Sequence, residues 1–364
     1  MILNKIDIVE VFESLHEKGE CSQLSIINGD EVLEINTPNF ESDSLVNVYS
    51  LSKMMVNLCL YKLLADYQIS IFTPLNQLWP SFAKKGKDNI CLNHILSHNS
   101  GIPHFSNKIV TKDLYKWESI IEVIENTTPL HLPSENVAYH ARNYGYIIGE
   151  IIKIVSGVDF STYFRNEIAV KLGLEFHFGV SEEKVLSRVI PLYRSNNEIS
   201  SSGLSQLDSI SESVGELIDK RNMVYSEQVF MNPYNDILSP NDGQWLKSCI
   251  PSSGGVSNAF NINKIMFWAI KYFNEVFSKV KVRQPLTMDL ALGFNNRWSL
   301  GFVQNSGEFG ISANRIGMRA IGGGIYFYDY DSDFHFCYTP ARMIPQVGRF
   351  PAHDPRVKPL LDLL

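Results

Sequence analysis

The chain has 364 residues, 45% of them hydrophobic, enough to bury one large core or two small ones, and it reads as globular. It carries 32 Lys and Arg against 39 Asp and Glu, a net charge of −7 without any basic block, which argues against nucleic acid or another polyanion as a partner. Cys21, Cys59, Cys91, Cys249 and Cys337 are dispersed among apolar neighbours, a pattern of reduced thiols and not of a disulfide framework or a metal site. The amino terminus lacks a basic start followed by a long apolar run, and no apolar stretch is long enough to cross a bilayer, so a cytoplasmic protein with no membrane partner is expected.

Residues 4 to 18 carry Ile8, Val11, Phe12 and Leu15 on one stripe and predict a helix that Gly19 can end. Leu24 and Ile26 alternate before Asn28-Gly29, and Leu33 and Ile35 after it, which predicts an antiparallel hairpin. Next comes Val48-Tyr49-Ser50-Leu51-Ser52-Lys53-Met54-Met55, at the start of a helix that is apolar nearly all round through Leu58, Cys59, Leu60, Leu63 and Leu64. Three residues apart on a helix, Lys53 lies one turn above Ser50 on the same face. The first turn also offers unpaired N–H groups and the positive end of the helix dipole to a developing oxyanion. The spacing alone is weak evidence, since Ser81/Lys84, Ser181/Lys184 and Ser278/Lys281 repeat it. Only Ser50 begins a helix that must lie in a core.

Ile90 to Ser97 reads as a short helix, and helical stripes follow around Leu114 to Ile124, Tyr146 to Val155 and Phe160 to Leu172, the last two ending at Gly157 and Gly173. Arg194 to Ser213 is polar and Ser-rich and reads as a surface loop or flap. A helix resumes with Ile262, Ile265, Met266, Ala269 and Phe273. Strands are predicted at Trp298 to Gln304, Ile325 to Asp329 and Phe334 to Tyr338, the last pair joined by an Asp331-Ser332-Asp333 turn. Strands at both ends of a helical middle predict an α+β fold: one antiparallel sheet built from both termini, flanked by helices, with a mostly helical insertion as the other wall of a cleft. The expected division of this single unit is an α/β region of residues 1–72 plus 290–364 and a helical region of residues 73–289.

In order and spacing, these segments resemble the serine β-lactamase and penicillin-binding-protein superfamily, most closely its class C-type β-lactamases, family VIII carboxylesterases and related acyltransferases. The likeness runs from Ser50-x-x-Lys53 through Pro80-Ser81-Phe82-Ala83 and Gly86 to Ile90, into Ile95-Leu96-Ser97-His98-Asn99-Ser100-Gly101-Ile102, which is similar to a Leu-Leu-Ser-His-x-Ser-Gly-Leu signature. That match accounts for His98 as a structural residue and leaves its pairing with His94, one turn away, without a third metal ligand. Neither a metal nor a cofactor is implied. The second motif, usually Tyr-x-Asn, falls on Tyr139-His140-Ala141 in an esterase-like register, with His140 and Arg142 as the alternative. The third, Lys-Thr-Gly or His-x-Gly before paired glycines, falls on Met318-Arg319-Ala320 ahead of Gly322-Gly323. The usual cation or imidazole is replaced by Met318, and Arg319 is expected on the opposite face of its strand. Pro251-Ser252-Ser253-Gly254-Gly255 reads as a turn that shapes the pocket and not as a phosphate loop.

The resemblance implies acylation of Ser50 by an ester, thioester or amide, with Lys53 and Tyr139 sharing proton transfer and the backbone N–H groups of Ser50 and Ile321 as the oxyanion hole. Met318, Arg319, Ala320 and His140 are the expected substrate contacts, and a small acyl compound is the expected partner. A serine hydrolase or acyltransferase follows, more esterase-like than β-lactamase and inclined to uncharged acyl groups. The alternative is a pseudoenzyme that keeps the fold for binding or scaffolding.

Overall fold

The computed structural model describes residues 5–17, 19–194, 220–234, 237–344 and 354–364. Helix α1 (Lys5–Ser14) leads into β1 (Ser22–Asn28) and β2 (Glu31–Asn36), the expected hairpin, which turns at Gly29-Asp30, one residue later than expected, because Asn28 still pairs with Glu31. Short β3 (Val46–Asn47) precedes a 3-10 turn at Tyr49–Leu51 and helix α2 (Ser52–Asp66). The helical middle contains α3 (Asn143–Ser156), which stops at Gly157 in a left-handed cap. Short β4 (Val256–Ser257) pairs with β3, and α4 (Ala259–Tyr272) follows, opened by the Asn258 side chain on the Asn261 N–H. The polar stretch after Arg194, residues 195–213, lies outside the described residues.

The carboxy-terminal strands are β5 (Thr287–Asp289), β6 (Phe294–Asn296), β7 (Trp298–Ser299), β8 (Phe302–Gln304), β9 (Arg315–Arg319), β10 (Ile325–Asp329) and β11 (Phe334–Pro340). Seven strands form an antiparallel sheet in the order β2-β1-β11-β10-β9-β8-β7. It is the sheet built from both termini: β1 pairs with β11 along its whole length, Leu24 opposite Tyr338 and Ile26 opposite Phe336. Alternation along β1 and β11 sends Tyr338 to one face and Ser25 to the other. Phe12 of α1 meets Tyr338 edge-on at 6.5 Å, while Asn263 of α4 donates to the Ser25 carbonyl at 3.0 Å, so each face carries a helix. Among the described residues no helix is long and apolar enough to cross a membrane.

The single strand predicted over Trp298 to Gln304 is instead a tight hairpin, β7 and β8, turning at Leu300-Gly301. Both turn residues have positive φ, 46° and 89°, as a two-residue turn of the right twist requires. A leucine seldom adopts that conformation. Here the side chains of α2 hold it, because the Tyr61 hydroxyl donates to the Leu300 carbonyl and the Asn57 amide to that of Gly301.

Helix α2 runs through the core. Met54, Met55, Leu58, Cys59, Leu60 and Leu63 are fully buried, each worth roughly 1.5–3 kcal/mol of apolar burial. Lys53 is also fully buried, because it is carried on this helix. The expected thiols are present as five free cysteines, of which Cys59, Cys91 and Cys337 are buried.

Candidate active site

Ser50 does not lie inside the α-helix; it occupies the 3-10 turn just before it, partly accessible at the end of α2. Tyr49 adopts a φ of 46°, a left-handed conformation costing roughly 1–2 kcal/mol. Its hydroxyl donates to the Ile237 carbonyl at 2.5 Å and its N–H to the Asn47 side chain at 3.3 Å, which hold the turn in that shape. Lys53, one turn on, places Nζ 3.3 Å from Ser50 Oγ. The Tyr139 hydroxyl, from the opposite wall, donates to the same Oγ at 2.8 Å.

Lys53 Nζ also donates to the carbonyls of Ala141 at 2.8 Å and Ser252 at 3.0 Å. A neutral amine has two N–H bonds and one lone pair. With the two N–H bonds on carbonyls, the lone pair is left for the Ser50 hydroxyl. Burial, and then the guanidinium of Arg142, hold this amine well below the ordinary lysine range. Burial raises the Tyr139 phenol, so it stays protonated and able to donate. The pair is therefore a base and a proton donor around one hydroxyl.

The Ser252 carbonyl reaches Lys53 because α3 and the turn at 251–253 approach each other closely. A Cβ at Gly145 would stand 2.6 Å from the Ser252 N, which only glycine avoids. Ser252 Oγ locks the approach, accepting from the Gly145 N–H at 2.7 Å and donating to the Arg142 carbonyl at 2.6 Å.

A pocket of about 280 Å³ opens in front of Ser50, lined by Tyr139, Arg142, Ser253, Phe294, Trp298, Met318, Arg319, Ala320 and Ile321 among others. The structure thus brings Ser50, Lys53, Tyr139, Met318, Arg319, Ala320 and Ile321 together and leaves His140 out. His140 is fully buried on the far side of the extended segment, where Nε2 lies 2.6 Å from Ser100 Oγ and Nδ1 2.8 Å from the Ala138 carbonyl. Consecutive residues of an extended segment face opposite ways, so one that points Tyr139 at Ser50 turns His140 away. The expectation of a substrate contact at His140 is corrected accordingly.

Arg319 is the second correction. Its guanidinium lines the pocket and sits 4.8 Å over the Phe294 ring. The reason lies in the length of the neighbouring strand: β8 pairs with β9 only at Gly317 and Ile316, so Arg319 projects beyond the end of β8 and its side chain can bend around that edge. Arg142, with Nη2 donating to the Phe230 carbonyl at 3.2 Å, supplies a second cation, and burial brings it down to about 10. Among the described residues the pocket's charged side chains are these two arginines. Arg319 thus brings a cation into the pocket beside Met318, on a face where strand alternation did not place it.

Two residues not anticipated from the sequence complete the wall. Trp298 stacks on Tyr139, and Asp289, fully buried, accepts from the Trp298 indole at 3.0 Å and from the Tyr139 N–H at 3.0 Å. It also caps its own turn through the Ala291 and Leu292 N–H groups, the only part of its role a local reading could have found. His98, with φ 54°, accepts from the His140 N–H and packs 4.1 Å from the Trp298 ring, beneath the site and not in it.

The chain is similar in fold to a family VIII carboxylesterase, with a TM-score of 0.82 at 20% identity over 99% of this chain and 98% of that one. A penicillin-binding protein homologue from Caulobacter crescentus gives 0.80 at 21% identity, covering 99% and 96%. EstA from Arthrobacter nitroguajacolicus Rue61a gives 0.78 at 20% identity, covering 98% and 96%. In sequence it is 26% identical over 141 residues to the esterase/beta-lactamase LipL of Mycobacterium tuberculosis (strain ATCC 25618 / H37Rv), a match spanning 38% of this chain and only 32% of that relative. Residues 24–314 match the Beta-lactamase family, which takes in the Ser50 turn, α2, the helical middle and the strands through β8, and the chain therefore belongs to that family.

Proposed function

We propose that the protein is a serine hydrolase that works through an acyl-Ser50 intermediate on esters, with thioesters and amides as further donors. The observation that carries this reading is the convergence of Lys53 Nζ at 3.3 Å and the Tyr139 hydroxyl at 2.8 Å on one partly accessible Ser50 Oγ. Neutral Lys53 takes the Ser50 proton as Oγ attacks the carbonyl carbon, and the N–H groups of Ser50 and Ile321 receive the oxyanion, each such donor being worth ~3 kcal/mol in a transition state. The phenol of Tyr139 hands a proton to the leaving oxygen and is recharged from Lys53. Water, or an acceptor alcohol, then attacks the acyl-enzyme by the reverse route, which makes acyl transfer a branch of the same chemistry.

An esterase is favoured over a β-lactamase because the third motif lacks its usual side chains at Met318 and Ala320, and because a family VIII carboxylesterase is among the proteins of the same fold. The pocket's volume of about 280 Å³ suits a short acyl group. The test is to incubate the protein with a fluorophosphonate, map the adduct by mass spectrometry, and measure p-nitrophenyl butyrate hydrolysis in parallel. A single adduct on Ser50, lost in Ser50→Ala together with turnover, is expected. Tyr139→Phe should cost on the order of 100-fold in kcat and His140→Ala much less. An adduct at Ser81, Ser181 or Ser278, or no adduct and no turnover with any ester, would favour a pseudoenzyme.

A further inference from the structure

Ile321, the second oxyanion donor of the proposed mechanism, sits exposed in the turn between β9 and β10. Its N–H shares a planar peptide unit with the Ala320 carbonyl, so whatever fixes that carbonyl fixes the N–H. The Ala320 carbonyl accepts from the Gly323 N–H at 3.3 Å. The Gly323 N–H in turn shares a peptide unit with the Gly322 carbonyl, which accepts from Arg356 Nη2 at 3.3 Å. Two rigid planes therefore lead from a guanidinium to the oxyanion donor. Gly322 and Gly323 have positive φ, 89° and 107°, and a pair of glycines leaves the turn free to take other shapes unless something holds it. A Cβ at Gly323 would clash with Asp354 Oδ2 and stand 2.8 Å from Arg356 Nη2, so the turn lies directly against these two side chains.

Arg356 precedes the short helix Lys358–Asp362 and is 1% exposed. Every nitrogen of its fork is engaged. Nε and Nη2 donate to the two oxygens of Asp354 at 3.1 and 3.0 Å, and Nη1 donates to the Arg342 carbonyl at 3.0 Å with Glu20 Oε1 3.5 Å away. The guanidinium also lies over the Tyr338 ring of β11 at 5.6 Å. A planar fork bonded on all sides has one orientation, which the single point charge of a lysine does not reproduce. Arg356 does not line the pocket before Ser50, so any effect on the reaction passes through the turn. We propose that Arg356 is a positioning residue for the oxyanion hole: with its guanidinium oriented by Asp354, it sets the Ile321 N–H through the Gly322–Gly323 and Ala320–Ile321 peptide units. The inference rests on the acyl-Ser50 reading, which gives that N–H a tetrahedral anion to bind.

The test is Arg356→Lys, which keeps a cation beside Asp354 and Glu20 but loses the fork. On p-nitrophenyl butyrate, kcat should fall on the order of 10- to 100-fold with KM within about twofold, because an oxyanion donor acts on the transition state and not on the bound ester. Affinity for a trifluoromethyl ketone, which forms an anionic adduct with a serine nucleophile, should fall in step. Hydrogen exchange in peptides covering residues 318–326, read by mass spectrometry, should quicken about tenfold at the amides the turn now protects. Asp354→Asn leaves Arg356 in place and should move kcat and exchange in the same direction by about threefold, which keeps the test open if the lysine variant does not fold. Leu361→Ala, a buried residue of the adjoining helix, lowers stability without touching the fork and should leave kcat as it is. Unchanged kcat in the folded variants, a change carried by KM, an equal loss in Leu361→Ala, or unaltered exchange would each overturn the inference. With Ser50 still labelled by the fluorophosphonate, those outcomes leave the acyl-Ser50 reading standing, whereas an unlabelled Ser50 in the unaltered protein would sink both.

Discussion

Trp298 lies parallel to Tyr139, ring centroids 5.4 Å apart and planes within 6°, and one carboxylate, Asp289, ties the indole of the first to the backbone of the second. Every group bonded to Asp289 is a donor, so an amide in its place turns one N–H against another. Asp289→Asn should cost roughly 1.5–3 kcal/mol of stability, the scale of a hydrogen bond to a charged group. It should also lower kcat on p-nitrophenyl butyrate about tenfold with little change in KM, as the Tyr139 hydroxyl drifts from Ser50. Unchanged kcat in a folded, destabilised Asp289→Asn would assign the carboxylate to the fold alone.

The buried amine of Lys53 sets the pH dependence. Its active form is the deprotonated one, and burial, then the guanidinium of Arg142, lower its pKa well below 10.5, so deprotonation is complete at lower pH than for a solvated lysine. The rate of Ser50 acylation by a fluorophosphonate should level off well below pH 10.5 and stay flat through it. Lys53→Arg, permanently protonated, should lose more than 100-fold. A rate still climbing through pH 10.5 would mean an ordinary, solvated lysine.

Arg319 and Arg142 give the pocket its charge. Mono-p-nitrophenyl glutarate should be preferred to p-nitrophenyl butyrate in kcat/KM. Arg319→Gln should reduce that preference about tenfold to a hundredfold, the value of a charge-assisted hydrogen bond of ~1.5–3 kcal/mol. A preference for the neutral ester in the unaltered protein would show that both arginines are occupied with the protein itself.

Acid should destabilise the fold through histidines held neutral by burial. His104 is brought down to about 4, and His140 and His335 to about 3, against 6.5 in the unfolded chain. Between those values the unfolded chain binds protons that the folded one refuses, so stability is fully present above pH 6.5 and falls as pH drops from there toward 4. Together these groups should remove several kcal/mol, read as a falling urea midpoint over that interval. A midpoint unchanged from pH 7 to 4.5 would be inconsistent with their burial.

Local chemistry was legible from the chain alone. Asn28-Gly29 between alternating apolar residues determines a hairpin, and the all-round apolar character of residues 51–64 determines a core helix with Lys53 one turn from Ser50, because turn and helix geometry depend on neighbours within a few residues. The competing Ser81/Lys84 pair is set aside by structure: both side chains bond Glu125, so its lysine is an ion-paired cation and not a base. Which way Arg319 points depended on where β8 stops, and whether Leu300-Gly301 continues a strand or turns it depended on Tyr61 and Asn57 of a helix more than two hundred residues earlier. The lowered basicity of Lys53 is likewise a property of the assembled core, since it comes from the removal of water around the amine and from the guanidinium of Arg142, far away in the sequence.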